Sequence, residues 1–334
     1  MKVSVIVPVY SVSAYIERSI RSVMNQTYDC IECIVVDDAT LDDSIVKCKR
    51  LIDEYEGPIC FRIFHHEYNR GLSESRNTGT IASTGDYIFY LDSDDEIMPD
   101  CIGKLVKVAE EHPEAEMVIG NYEEISEGKQ ARIKHDERLP AHIQTNERFV
   151  SYYHHHQISF AAWNKLIKRS FINSHCLFFK EGILYEDYLW MFYVAKYLSV
   201  VFIVKEVTYR YYIRPGSITM SSDHLSVGRS YMIIFDDILH HLTIGREKKE
   251  LNYCAERFCK HYLNSKKKFP AYKSLYRLYL KLTLQYHSLY ANIVLVFIGV
   301  LGLFGNPMTF LLLLHSLRWK MTRLIWNDLM SVSR

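Results

Sequence analysis

The chain has 334 residues, 49% hydrophobic and 24% charged, with 14 Gly, 8 Pro and 8 Cys. This allows one large domain with an appendage or two domains, and excludes a disordered chain, a low-complexity chain and a disulfide framework. A net charge of +1 hides an asymmetry: residues 251–334 carry 12 Lys+Arg and 2 Asp+Glu, leaving 28 and 37 for residues 1–250, so the two regions suit different partners.

Val3–Val7 (VSVIV) reads as a buried strand. It contains no secretory leader pattern, because Pro8 interrupts the apolar run and no small-residue cleavage site follows. The expectation is therefore a reducing, cytoplasmic location. Ser13–Met24 has helical spacing, with Ser13 as its expected N-cap. Cys30 and Cys33 form a C-x-x-C, but the pair leads into the strand Ile34–Val36 instead of opening a helix, so inert thiols are expected. That strand ends at Asp37-Asp38. A helix over Asp42/Asp43–Tyr55, a strand Phe61–Phe64, a helix Ser73–Ser83 and a strand Tyr87–Leu91 follow, then a helix Asp100–Glu111 and a strand Met117–Gly120. This β-α alternation predicts a mostly parallel sheet flanked by helices, with ligands beyond the carboxyl ends of its strands.

Neither G-x-G-x-x-G nor G-x-x-x-x-G-K-[ST] occurs, so no glycine loop cradles phosphate. The acidic run after the fourth strand is the alternative. Asp92, Asp94, Asp95 and Glu96 crowd four carboxylates into five residues, an unfavourable arrangement unless solvent or a cation compensates it. A hard divalent ion takes carboxylate and diphosphate oxygens together. Glu186-Asp187 is a second acidic pair, set among Leu184, Tyr185, Tyr188 and Trp190. It fits either a general base or the first turn of a helix.

The runs VSVIVPVY, NQTY (25–28), VVDDAT (35–40), GLSESRNTG (71–79), YLDSDDEIMP (90–99), AWNKLIKRSF (162–171), LYEDYLW (184–190) and YRYYIRPGSI (209–218) resemble family 2 of the nucleotide-sugar glycosyltransferases. They are most similar to its bacterial branch that builds capsule, lipopolysaccharide and exopolysaccharide sugars. The resemblance covers residues 1 to about 220 in the family's order and spacing. It implies a GT-A fold and an inverting transfer from a nucleotide sugar, UDP-hexose or UDP-HexNAc, to a glycan or lipid-linked acceptor. It implies a divalent metal, Mn²⁺ or Mg²⁺, on Asp94 and Asp95, with the ligand order between the two left open. Pro8, Val9 and Tyr10 would form a lip around the base, Asp38 would accept the uracil N3–H, and Arg76 and Asp92 would bind the donor. Asp187 would be the general base. Trp163, Lys165, Glu186 and Arg214 are expected as further donor or acceptor contacts. A metal-dependent nucleotidyltransferase and a non-catalytic sugar-nucleotide-binding protein are the alternatives.

The expected catalytic domain is residues 1–225, with a nucleotide-sugar half (1–120) and an acceptor half (121–225). Amphipathic helices over Ser226–Leu242 and Glu247–Leu263 follow, within a basic helical region at 226–287. Leu282–Leu317 contains no Lys, Arg, Asp or Glu, is broken at Gly305-Asn306-Pro307, and is flanked by Lys266–Lys281 and by Arg318, Lys320 and Arg323. Residues 288–334 are therefore expected as an apolar hairpin and basic tail on an anionic membrane surface at its cytoplasmic side, with a buried homodimer hairpin as the alternative and no nucleic-acid partner.

Overall fold

Every residue of Val3–Val9 is buried, which a strand covered on both faces requires. The computed structural model describes residues 1–126, 131–134, 139–154, 157–214, 217 and 224–241. In chain order the elements are β1 (Val3–Val9), α1 (Ile16–Met24), β2 (Ile31–Asp37), α2 (Ser44–Asp53), β3 (Cys60–His65), α3 (Leu72–Ala82), β4 (Tyr87–Tyr90), β5 (Glu96–Ile97), α4 (Cys101–Glu111), β6 (Met117–Ser126), β7 (Arg132–Lys134), β8 (His142–Ile143), α5 (Asn146–His154), β9 (Lys165–Lys168), α6 (Arg169–Ser174), α7 (Glu186–Tyr197), β10 (Val201–Ile213) and α8 (His224–His240).

The sheet runs β3-β2-β1-β4-β9-β6-β10-β5, with β7 on β6 and β8 on β10. The first four strands are parallel neighbours, as is β6 with β10; β9 runs antiparallel between β4 and β6. The reversal of β9 brings the start of that strand beside the carboxyl end of β4, with Phe89 opposite Leu166. Alternate residues of β1 feed two cores. Val3, Val5, Val7 and Val9 pack with Ile16 and Ile20 of α1 and Leu105 of α4, whereas Ile6 packs with Trp190 and Met191 of α7. Each such aliphatic side chain contributes roughly 1.5–3 kcal/mol. α3 lies directly on β1 at Gly79, where an added Cβ would stand 2.3 Å from Ile6 Cγ2.

The expected β-α order of the first 120 residues is present, but β9 and β10 were not legible as strands. α1 starts at Ile16, not Ser13, and no side chain caps it. The Ser13 N–H donates to Asp42 at 2.9 Å and its hydroxyl donates to Asp43, so the α1–α2 loops claim its capping capacity. Cys30 is exposed and Cys33 buried, both as free thiols, and burial pushes the Cys33 thiol up. The expected helix at Glu247–Leu263, the basic stretch 266–281 and the apolar hairpin lie outside the described residues. Among the described residues no helix is long and apolar enough to cross a membrane.

Glu32 of β2 knots this layout together at the amino ends of the strands. It is 2% exposed and accepts hydrogen bonds from Ser4 Oγ (2.5 Å), Thr84 N–H (2.6 Å) and Gly85 N–H (3.1 Å), while Arg62 and Lys2 both pair with it at 3.0 Å. Burial disfavours its charge, but these donors outweigh burial and hold its pKa down at about 2. The contribution is therefore complete above the ordinary value near 4.5 and is lost as pH falls toward 2. Glu32→Gln should cost about 1–3 kcal/mol near neutrality through buried donors left without acceptors. In urea melts across a pH series, the gap to wild type should close below pH 4.5. A pH-independent gap would assign the effect to shape alone.

Candidate active site

β4 is a buried apolar strand, so its polar continuation emerges at the carboxyl edge of the sheet, where ligands of such sheets bind. There the acidic run does not act as one cluster. Asp92 Oδ1 accepts from Arg76 Nη2 at 2.8 Å. Asp94 Oδ2 accepts from Arg214 Nε at 2.6 Å. Asp95, 1% exposed, accepts from Tyr209 Oη and from the Tyr212 N–H, both at 2.8 Å. Burial and the charges of Asp94 and Asp92 raise the Asp95 pKa far above the carboxylate range. Its oxygens point into the fold toward β10.

Among the described residues no group of three His, Cys, Asp or Glu side chains converges to hold a metal. A cation that shares its shell with diphosphate needs fewer protein ligands. Asp92 and Asp94 fit that requirement, with side chains 25% and 20% exposed. Burial and the neighbouring Asp92 raise the Asp94 pKa against the pull of Arg214. Asp95 does not fit. Arg18 escaped sequence reasoning because it belongs to no motif. Its Nη2 donates to the Asp94 carbonyl at 2.5 Å and its guanidinium lies 3.5 Å from the Tyr212 ring centroid. Arg18 and Arg214 thus flank Asp94 with positive charge.

Arg76 links the two acidic motifs. It is 1% exposed; Nη2 reaches Asp92 and Nη1 reaches Glu186 Oε1 at 2.6 Å, while the Phe179 ring centroid lies 5.2 Å from its Cζ. Burial works against the charge, but Asp92, Glu186 and Asp187 outweigh it and raise the Arg76 pKa. Arg76, expected to bind the donor, forms a strut here between the end of β4 and the start of α7. The next residue reinforces it: Asn77 Nδ2 donates to the Phe179 carbonyl at 2.9 Å and the Phe179 N–H returns 2.8 Å to Asn77 Oδ1.

Glu186 and Asp187 open α7, and the cap position belongs to Tyr185. Burial raises the Asp187 pKa to about 7, aided by Glu186 and Asp92 and opposed by Arg76 and Lys165. Glu186 is raised in direction too, by burial first, although Arg76 pulls it down. Lys165, 1% exposed at the start of β9, gives Nζ to the Ala161 carbonyl at 2.5 Å, and burial lowers its pKa to about 7 despite Asp187. It is a buried amine on the Asp187 side of the site.

The first strand ends are divided. Pro8 and Val9 are buried within β1, whereas Tyr10 is 45% exposed. Asp38 is 2% exposed and anchors the following loops: Oδ1 meets His66 Nδ1 at 2.7 Å and the Arg70 N–H at 2.7 Å, and Oδ2 accepts the Gly71 N–H at 2.8 Å. Asp37 Oδ1 accepts the Thr40 N–H at 2.9 Å and so caps its turn. Trp163 is not an open sugar platform. At 8% exposure it stacks on Tyr209 (4.6 Å, 12°) and Tyr211 (5.5 Å, 13°), placing it behind the tyrosine that holds Asp95.

Comparison with known proteins identifies the family and the fold. Residues 4–175 match the family described as Glycosyl transferase family 2. EpsH of Bacillus subtilis (strain 168) is 33% identical over 220 residues, 65% of this chain and 62% of its own length. The chain thus spans less than two thirds of that relative. The S. aureus TarS 1–349 structure in complex with UDP-GlcNAc superposes with a TM-score of 0.60 at 18% identity, over 79% of this chain and 73% of that one. The mannosyltransferase PcManGT from Pyrobaculum calidifontis, in complex with GDP-Man and Mn²⁺, gives 0.54 at 15% identity, over 92% and 88%. Likeness at that distance shows a shared GT-A-like α/β fold. With the family match spanning half of the residues, the chain belongs to glycosyl transferase family 2.

Proposed function

We propose that this chain transfers a sugar, with inversion, from a nucleoside-diphosphate sugar to a hydroxyl group of a glycan or lipid-linked acceptor in cell-surface polysaccharide synthesis. UDP is the proposed nucleotide, and the complexes of TarS with UDP-GlcNAc and PcManGT with GDP-Man support a nucleotide-sugar donor. The observation that carries the reading is the bridge from Asp92 through Arg76 to Glu186, 2.8 and 2.6 Å long, which holds a leaving-group end and a base end to one small site.

Asp187 takes the proton from the acceptor hydroxyl as its oxygen bonds to the anomeric carbon on the face opposite the diphosphate. The bond from that carbon to the diphosphate oxygen breaks, and the nucleoside diphosphate departs with the electron pair. Burial suits Asp187 to this role, because a carboxylate lifted to about 7 is a stronger base than an exposed one yet is largely ionised just above neutrality. Arg76 holds Asp92 and Glu186 in line through its two terminal guanidinium nitrogens. Arg214 and Arg18 add positive charge beside Asp94. Mn²⁺ or Mg²⁺, held by Asp94 with Asp92 adjacent, would stabilise negative charge on the departing diphosphate. The exposed ring of Tyr10 is assigned to the rim of the base site. The uncharged run 282–317 between basic clusters supports placing the reaction at the cytoplasmic face of a membrane, where a lipid-linked acceptor is presented.

Two outcomes test the assignment. Asp187→Asn should reduce turnover at least about 100-fold, the scale of a general base, while donor affinity by calorimetry changes less than about threefold. The wild-type rate should rise with pH through a limb near 7, since the base must be deprotonated, and the variant should lack that limb. A variant within threefold of wild type would return Asp187 to a helix-opening role. For the metal, chelation with EDTA should abolish UDP binding in calorimetry and added Mn²⁺ should restore it. Asp94→Asn should weaken Mn²⁺-dependent UDP binding by about tenfold or more, roughly the value of one charge-assisted contact, whereas Asp95→Asn should change it less than threefold. Equal losses in both would contradict the inward placement of Asp95.

A further inference from the structure

The helix that carries Asp187 begins in an unusual way. Its cap residue, Tyr185, has φ 61° and ψ 36°, in the left-handed region, and makes no side-chain cap hydrogen bond. A bulky residue is strained in that region where glycine is not. Something must hold it, and the contacts come from α8. The Tyr185 ring stacks on Tyr231 with centroids 5.1 Å apart and planes at 27°. The preceding Leu184 N–H donates to Ser230 Oγ at 2.9 Å. Ser230 and Tyr231 are 4% and 3% exposed, and the Ser230 hydroxyl is oriented by the Ser226 carbonyl at 2.9 Å. Further along, Asp237 of α8 pairs with Lys180 in the incoming loop and accepts from Tyr193 Oη on α7. α8 therefore grips the chain on both sides of the residues that open α7.

The body of α7 also has a core of its own: Trp190, Met191 and Val194 are 1% exposed or less and pack in the sheet-side core with Ile6, Ile88 and Tyr90. The turn at Leu184–Tyr185, two residues before Asp187, is held by Ser230 and Tyr231 of α8. These contacts lie beyond the family match, which ends at residue 175.

We propose that Ser230 and Tyr231 are positioning residues for catalysis: by holding Leu184 and Tyr185 in the left-handed turn, α8 aims the first turn of α7, and with it Asp187, into the site. The inference rests on the reading of Asp187 as the base. It makes α8 part of what the active site requires.

The test uses the full chain. Tyr231→Ala and Ser230→Ala should each lower kcat about tenfold while the donor KM and the UDP dissociation constant stay within twofold. Tyr231→Phe, which keeps the stacked ring, should recover most of the rate. Tyr185→Gly separates positioning from folding, because it removes the left-handed penalty together with the ring. It should hold or raise the melting temperature and still lower kcat. Unchanged kcat in Tyr231→Ala and Tyr185→Gly would overturn the proposal, as would a parallel fall of kcat, donor affinity and melting temperature in all of these variants. Asp187→Asn run alongside keeps the two readings apart. If it retains its rate, the base assignment has failed; if it is inactive while Tyr231→Ala is fully active, only the role of α8 has failed.

Discussion

The guanidinium of Arg76 between Asp92 and Glu186 is the interaction on which the site depends. A cation withdrawn from water is expensive, and only close, well-directed carboxylates repay it. These two come from distant parts of the chain, one after β4 and the other at the start of α7. The geometry closes only if α3, the sheet and α7 all stand at their proper distances, so the ion cluster verifies the fold as much as it decorates it. Losing a partner from such a buried group costs roughly 3–5 kcal/mol, because the remaining charges stay buried without compensation.

The same cluster sorts the acids by role. Asp92 and Glu186 each receive a guanidinium nitrogen, while Asp187 has the Arg76 and Lys165 charges only nearby. Burial acts on Glu186 and Asp187 alike, and the direct ion pair is the opposing influence on Glu186. At the other end of the site, Arg18 and Arg214 crowd around Asp94. On the proposed reading, the acid beside the departing diphosphate is thus flanked by guanidinium groups, whereas the base is set apart by burial.

Much of this was legible in the sequence, for a definite reason. Fully buried parallel strands write themselves as unbroken runs such as VSVIV, and the acids that end them stand out against that background. β9 and β10 were hidden because KLIK and VFIVKEVTYRYYI mix charge with apolar residues, as strands at the reversed and far side of a sheet do. Residue types at the site were readable, but side-chain directions were not. Nothing local distinguishes Asp94 from Asp95; the difference is made by Arg214, Tyr209 and Tyr212, more than a hundred residues away. Trp163 was expected as a donor or acceptor contact, and only the arrival of Tyr209 and Tyr211 beside it makes it a backing for the acidic strand end. The burial of Lys165 was not legible because sequence does not reveal that β9 runs between β4 and β6.

The contact of Gly79 with Ile6 gives this arrangement a gauge. Gly79 follows Arg76 by three residues, so both lie on the same side of α3. With Ile6 Cγ2 only 2.3 Å from an added Cβ, even alanine would force the Ile6 side chain or α3 to shift. A shift of α3 would carry the guanidinium with it and loosen its hold on both carboxylates together. A single missing methyl group on the underside of the site thus sets the reach of the cation above it. Substitutions that thicken this seam would be felt at the ion cluster by residues that never contact them, which places a limit on how freely the hidden face between α3 and β1 can drift.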